Sequence, residues 1–145
     1  MRTATAIEGA ALSVIDASVF VEALVVTGPS GDVARAELRT SAVLEVPAIF
    51  GAEAASALRR MVMRGELNAV RASTGLDQIR RVRAVRHPFE PFARRTWELH
   101  DNLTVYDAWY VALAESLGTD LVTTDARIVS APGTRCRIRR PGDAV

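Results

Sequence analysis

Apolar residues fall in short blocks along this chain, and the blocks switch between the strand and helix periods. Residues 12–15 are a run rich in β-branched side chains, which predicts a buried strand ending on Asp16. A helix is predicted over 18–26, stopped by Gly28-Pro29, and a second over 31–39 with Asp32 near its positive end. Residues 43–46 read as a second strand, with Pro47 breaking the pairing after it. The alanine-rich stretch 49–64 predicts a long helix stopped by Gly65, and 68–82 another, weakened by Gly75. A short strand over 83–87, a turn over 89–92 and a short helix over 93–100 follow. In 105–117, Tyr106, Tyr110, Leu113 and Leu117 recur at spacings of four and three, which makes one apolar stripe on a helix that Gly118 stops. Residues 120–123 form a short buried strand, 127–129 a helical turn, 135–138 an alternating edge strand, and Pro141 opens a loose tail.

Strands that alternate with helices in this order predict an α/β fold with a mostly parallel sheet. Ligands of such sheets bind at the carboxyl ends of the strands. Asp16 and Asp125 sit at strand ends, while Glu53 and Asp107 sit in the first turns of helices whose starts return to that edge. Each acid also has a bland explanation. Thr104-Val105-Tyr106-Asp107 fits a capping box, Asp125 can cap the turn after it, Asp16 or Ser18 can cap the helix at 18, and Glu53 favours a helix dipole. Four capping accidents on one edge are less economical than one shared purpose. Clustered carboxylates repel one another, and several would take up protons unless a cation joined them. Neither His87 nor His100 has a second His or Cys at ligand spacing, so an all-oxygen set favours a hard ion, Mg²⁺ or Mn²⁺, over Zn²⁺.

Composition narrows the class. With 145 residues, the chain has the size of a single domain, 1–145, and 49% hydrophobic residues supply a full core rather than disorder. Its 18 basic and 17 acidic residues nearly balance, so any nucleic-acid surface must be local. Every basic residue is Arg. The run Arg80, Arg81, Arg83 and Arg86 reads either as a solvated helix end or as an RNA-contacting patch. Cys136 is the single cysteine, which excludes an intrachain disulfide and fits a reducing cytoplasm. Asp16 and Glu22 interrupt the apolar run 12–26, so it is no membrane span, and 1–11 lacks the pattern of a signal peptide.

Four motifs carry a family resemblance: V-I-D-A-S at 14–18, the Pro47 to Glu53 spacing, Y-D-A-W-Y-V-A-L-A at 106–114, and L-V-T-T-D at 121–125. In them the chain resembles the PIN-domain ribonucleases, and specifically the VapC-type toxins of toxin–antitoxin pairs. The resemblance implies a PIN-like three-layer α/β/α fold and hydrolysis of RNA to 5′-phosphate and 3′-hydroxyl ends. It implies Mg²⁺ or Mn²⁺ held by Asp16, Glu53, Asp107 and Asp125 as the catalytic set. Thr123 would orient an acid or a water from behind, and Ser18 likewise. A small antitoxin and a homodimer are implied as partners, with an apolar groove near the early helices, around Phe20, Leu24 and Phe50, as one place for the antitoxin to lie. Other acid-bearing α/β classes fit poorly. A response-regulator receiver and a haloacid-dehalogenase phosphatase both need a Lys, which is absent, and a P-loop enzyme needs G-x4-G-K-[ST]. The rival that remains is a non-catalytic PIN-like module that binds RNA or a partner without cutting it.

Overall fold

The computed structural model describes residues 12–41 and 43–145, so the segment 1–11 considered above for a signal peptide lies outside them. Strand β1 (Ser13–Ile15) leads into α1 (Ala17–Val25) and α2 (Pro29–Arg39). Strand β2 (Leu44–Pro47) precedes α3 (Phe50–Met63) and α4 (Ala69–Arg81), and β3 (Ala84–His87) follows. A 3-10 turn (Glu90–Phe92) opens α5 (Ala93–Glu98), before α6 (Val105–Leu117), β4 (Asp120–Val122), α7 (Ala126–Val129) and β5 (Ile138–Arg139). The strands form one parallel sheet in the order β3-β2-β1-β4-β5. The first strand of the described chain is therefore the middle of the sheet, and its neighbours come from far along the sequence.

The pleat of the central strands sends alternate side chains to opposite cores. Ile15 and Val122 join Val19, Phe20, Leu44, Val46, Phe50, Ala54, Leu58 and Ile79 on the face covered by α1 to α4. Val14 and Leu121 join Leu99, Leu103, Tyr110, Val111, Leu113 and Ile128 on the face covered by α5 and α6. Helices thus lie on both sides of the sheet, the three-layer α/β/α arrangement expected. Among the described residues no helix is long and apolar enough to cross a membrane.

Several local expectations change. Pro47 does not interrupt the ladder: it is the last residue of β2, in register with His87. Leu44 and Ala48 donate their N–H groups toward β3. By alternation, position 47 faces the β1 side, where that strand has already given way to α1, so no donor is missed. The stripe on α6 is also wider than its period suggested. Ala108 to Ala114 are all buried, whereas Tyr106 is 56% exposed. A helix packed against the sheet, α5 and the 3-10 turn has few solvent-facing positions, and Tyr106 lies in its first turn. The edge strand sits at Ile138–Arg139 rather than over 135–138. Phe20 and Phe50 stack edge to face at 5.2 Å inside the core and line no groove. Gly75 is a point of close approach: a Cβ there would stand 3.2 Å from Leu58 Cδ1.

Candidate active site

Each predicted acid arrives by a different local route. Strand β1 ends as the Asp16 N–H donates to the Val122 carbonyl, 3.0 Å, completing its pairing with β4. Asp16 then stands at the N-cap of α1, yet its carboxylate caps nothing. Instead Ser18 Oγ and Thr123 Oγ1 both donate to its Oδ2, each at 2.7 Å. Thr123 is wholly buried, and its Oγ1 also accepts the Asp125 N–H at 3.0 Å, so one hydroxyl ties Asp16 to the segment that presents Asp125. Ser18 Oγ accepts the Thr124 N–H at 3.3 Å from the other side.

Asp125 caps α7 as expected, accepting the Arg127 N–H at 2.9 Å. It also receives the Arg127 guanidinium, with Nη2 on Oδ2 at 2.9 Å. Thr104 caps α6 through the Asp107 N–H, 3.2 Å, which leaves the Asp107 carboxylate in the first helical turn. Glu53 occupies the first turn of α3. The bland capping roles therefore hold for Asp125 and for Thr104, but not for Asp16.

These four acids, with Ser18, Arg60 and Arg127, line one cavity of about 220 Å³. Its electrostatics are those of crowded, partly dry carboxylates. Burial pushes Asp16 upward, against the opposing hydrogen bonds of Ser18 and Thr123. Burial first, then the charge of Asp16, drives Glu53 up to about 7. Asp107 is raised by burial and by Asp16 and Asp125. Asp125 alone is lowered, chiefly by its hydrogen bond from Arg127. Glu53 Oε1 is buried and has no hydrogen-bond partner. The Tyr110 hydroxyl beneath it is also buried and unpartnered by hydrogen-bond geometry. It is nonetheless close enough to Glu53 to draw the Glu53 pKa part of the way back down. Among the described residues no three acids are drawn into a closed metal cage. The oxygen-only donor set, the raised acids and the orphaned Glu53 oxygen all fit a hard divalent cation.

Reasoning from sequence missed three residues here. Tyr110 lies on the apolar stripe of α6, and nothing in its spacing separates a core tyrosine from one whose hydroxyl lies near the acids. Arg60 and Arg127 carried no motif, although Arg127 follows Asp125 by two positions in a helical turn, where a local ion pair is natural. The run Arg80, Arg81, Arg83 and Arg86 is exposed and lines no part of this cavity, and Arg80 pairs with Asp77 at 3.3 Å. His87 is half-buried, with Nε2 2.5 Å from Glu45 Oε2, a structural role.

Residues 13–133 match the family described as PIN domain. Ribonuclease VapC1 of Mycobacterium tuberculosis is 39% identical over 127 residues, covering 87% of this chain and 95% of that protein. Ribonuclease VapC9 of the same organism is 38% identical over 125 residues, covering 86% and 94%. Among solved structures, FitAcB from Neisseria gonorrhoeae superposes with a TM-score of 0.64 at 16% identity, over 92% of this chain and 100% of that one.

Proposed function

Because this chain belongs to the PIN-domain family and, within it, to the VapC ribonucleases, we propose that it is an endoribonuclease toxin whose acids Asp16, Glu53, Asp107 and Asp125 hold a divalent cation. The observation that carries the site is the meeting of these four acids, from four separate stretches of chain, in one cavity with a buried, unpartnered Glu53 oxygen. Nucleases of this family generally depend on a divalent metal, and Mg²⁺, with Mn²⁺ as substitute, suits the donors. A cation held by these acids would offset charge on the scissile phosphate and would lower the pKa of the attacking water.

The chain's own residues supply position. Ser18 and Thr123 fix the Asp16 carboxylate through one oxygen, and Thr123 sets Asp125 relative to it. Asp107 is held by the capped first turn of α6. Glu53, raised to about 7, holds or releases a proton in the cavity. Single-stranded loops are the substrate, because an A-form duplex hides its base edges.

A small antitoxin blocks the site, inserting an Arg or Lys among the acids. Its helix lies on apolar surface between α3 and α4, where Met63 is 71% and Leu76 44% exposed. Arg59 lines that surface and Arg60 lines the acid cavity, so the two adjoin. A homodimer completes the proposal. Incubation of a structured RNA with the purified protein tests it: cuts fall in loops, require Mg²⁺ or Mn²⁺ and stop with EDTA. Equal cutting of a perfect duplex, or activity that survives EDTA, contradicts it.

A further inference from the structure

Beside the acid cavity lies a larger one, of about 530 Å³, lined by Glu22, Ser30, Val33, Thr124, Arg140 and Pro141. Its size falls in the ~300–1,000 Å³ range of small-ligand sites. The two cavities share a wall. Ser18, in the acid cavity, and Glu22, in this one, are one helical turn apart on α1. Thr124 and Asp125 are consecutive, and the Thr124 N–H is bonded to Ser18 Oγ. An RNA strand whose scissile phosphate rests among the acids therefore has this cavity as its neighbour.

The lining carries both charges. Several acids and arginines of the chain are bridged: Arg35 to Asp32, Arg127 to Asp125, and Arg139 to Glu37 and Asp120. Here a carboxylate and a guanidinium share one cavity, yet neither the Glu22 nor the Arg140 side chain has a hydrogen-bond or ion-pair partner among the described residues. They stand apart, one acceptor and one cation, with the Ser30 and Thr124 hydroxyls between donor and acceptor roles. A ligand that matches both ends must carry N–H donors at one end and an anion at the other. A nucleotide does so.

We propose that this cavity is the subsite for the nucleotide flanking the cleaved bond, with Arg140 on its phosphate and Glu22 on its base. The assignment rests on the ribonuclease function above. Guanine is the base selected, because its Watson–Crick edge offers two adjacent N–H donors to one carboxylate. Glu22 and Arg140 are thus specificity-determining residues rather than catalytic ones.

The experiment is cleavage of a single-stranded RNA pool with randomised positions, followed by sequencing of the cut ends, for the wild type, Glu22→Gln and Arg140→Ala. The wild type enriches guanine at one position next to the cut. Glu22→Gln loses that enrichment at that position only, and Arg140→Ala raises KM about ten-fold, the cost of one lost charge-assisted contact. Both side chains are unpaired, so neither variant disturbs the fold. A wild type without base preference beside the cut, an identical profile in Glu22→Gln, or a profile flattened at every position together overturns the subsite and leaves the nuclease standing. A wild type that cuts nothing in the pool overturns both.

Discussion

At Asp107, exchanging the carboxylate for its amide removes one of several like charges and keeps the shape. Cleavage by Asp107→Asn falls by more than about 100-fold, because the proposed cation ligand is lost. Metal-free stability is unchanged or slightly higher, since the remaining acids are less repelled. Parallel cleavage and thermal-melt measurements check both halves, and near-normal cutting removes Asp107 from the set. Glu53 gives a pH prediction. Its pKa of about 7 in the fold, against an ordinary 4.5, means the native state holds this proton more tightly than the unfolded chain does. The stabilisation is complete below about 4.5 and is lost as pH rises through 7, on the order of 1–3 kcal/mol. Metal-free protein therefore melts at progressively lower temperature between pH 5 and 8, and Mg²⁺ restores most at the alkaline end. A flat melting profile without metal contradicts the placement of Glu53 in a dry, acidic floor. Asp16 shows what sequence can disclose at this scale. Its position after a buried strand marks it as costly, the family motif points to Ser18 and Thr123, and the structure shows that both hydroxyls, one of them 107 residues away, bind the same Asp16 oxygen.

The joint between α1 and α2 is set by one glycine. A Cβ on Gly31 would stand 2.0 Å from the Val26 carbonyl oxygen, which already accepts a bond from Arg35. Gly31→Ala forces backbone apart and costs about 1–3 kcal/mol or more, readable as a lower midpoint in a denaturant titration. An unchanged midpoint shows that the joint can open freely. Element identity was largely legible because punctuation and period agreed. Gly118 adopts the left-handed φ of 63° that ends α6, and α6 itself spans the predicted residues. Legibility failed where an element's partner decided the outcome. Pro47 belongs to β2 because β1 has stopped beside it. Tyr106 is exposed because it lies at the helix mouth, and Phe20 meets Phe50 because two helices cover the same sheet face. None of these follows from local spacing. The four acids were legible because each sits at a chain-direction landmark, a strand end or a helix start, whereas Arg60 and Tyr110 sit mid-helix.

Across the whole molecule, the sheet edge at β5 is pinned by charge. Arg139 is buried and bridges Glu37 on α2 at 2.6 Å and Asp120 on β4 at 2.9 Å. Arg139→Met leaves both carboxylates without their cation and costs about 3–5 kcal/mol. Chemical unfolding with the wild type as reference measures it, and a loss below 1 kcal/mol would show that water replaces the guanidinium. The sheet order carries a further consequence, in time rather than in space. Strand β1 leaves the ribosome well before its partner β4, and the tie from Thr123 to Asp16 comes 107 residues later. A nascent chain that has exposed Asp16, Glu53 and even Asp107 still lacks the strand that fixes Asp16 and the stretch that delivers Asp125. The four acids therefore come together only after Asp125 has been made, late in the order of the chain.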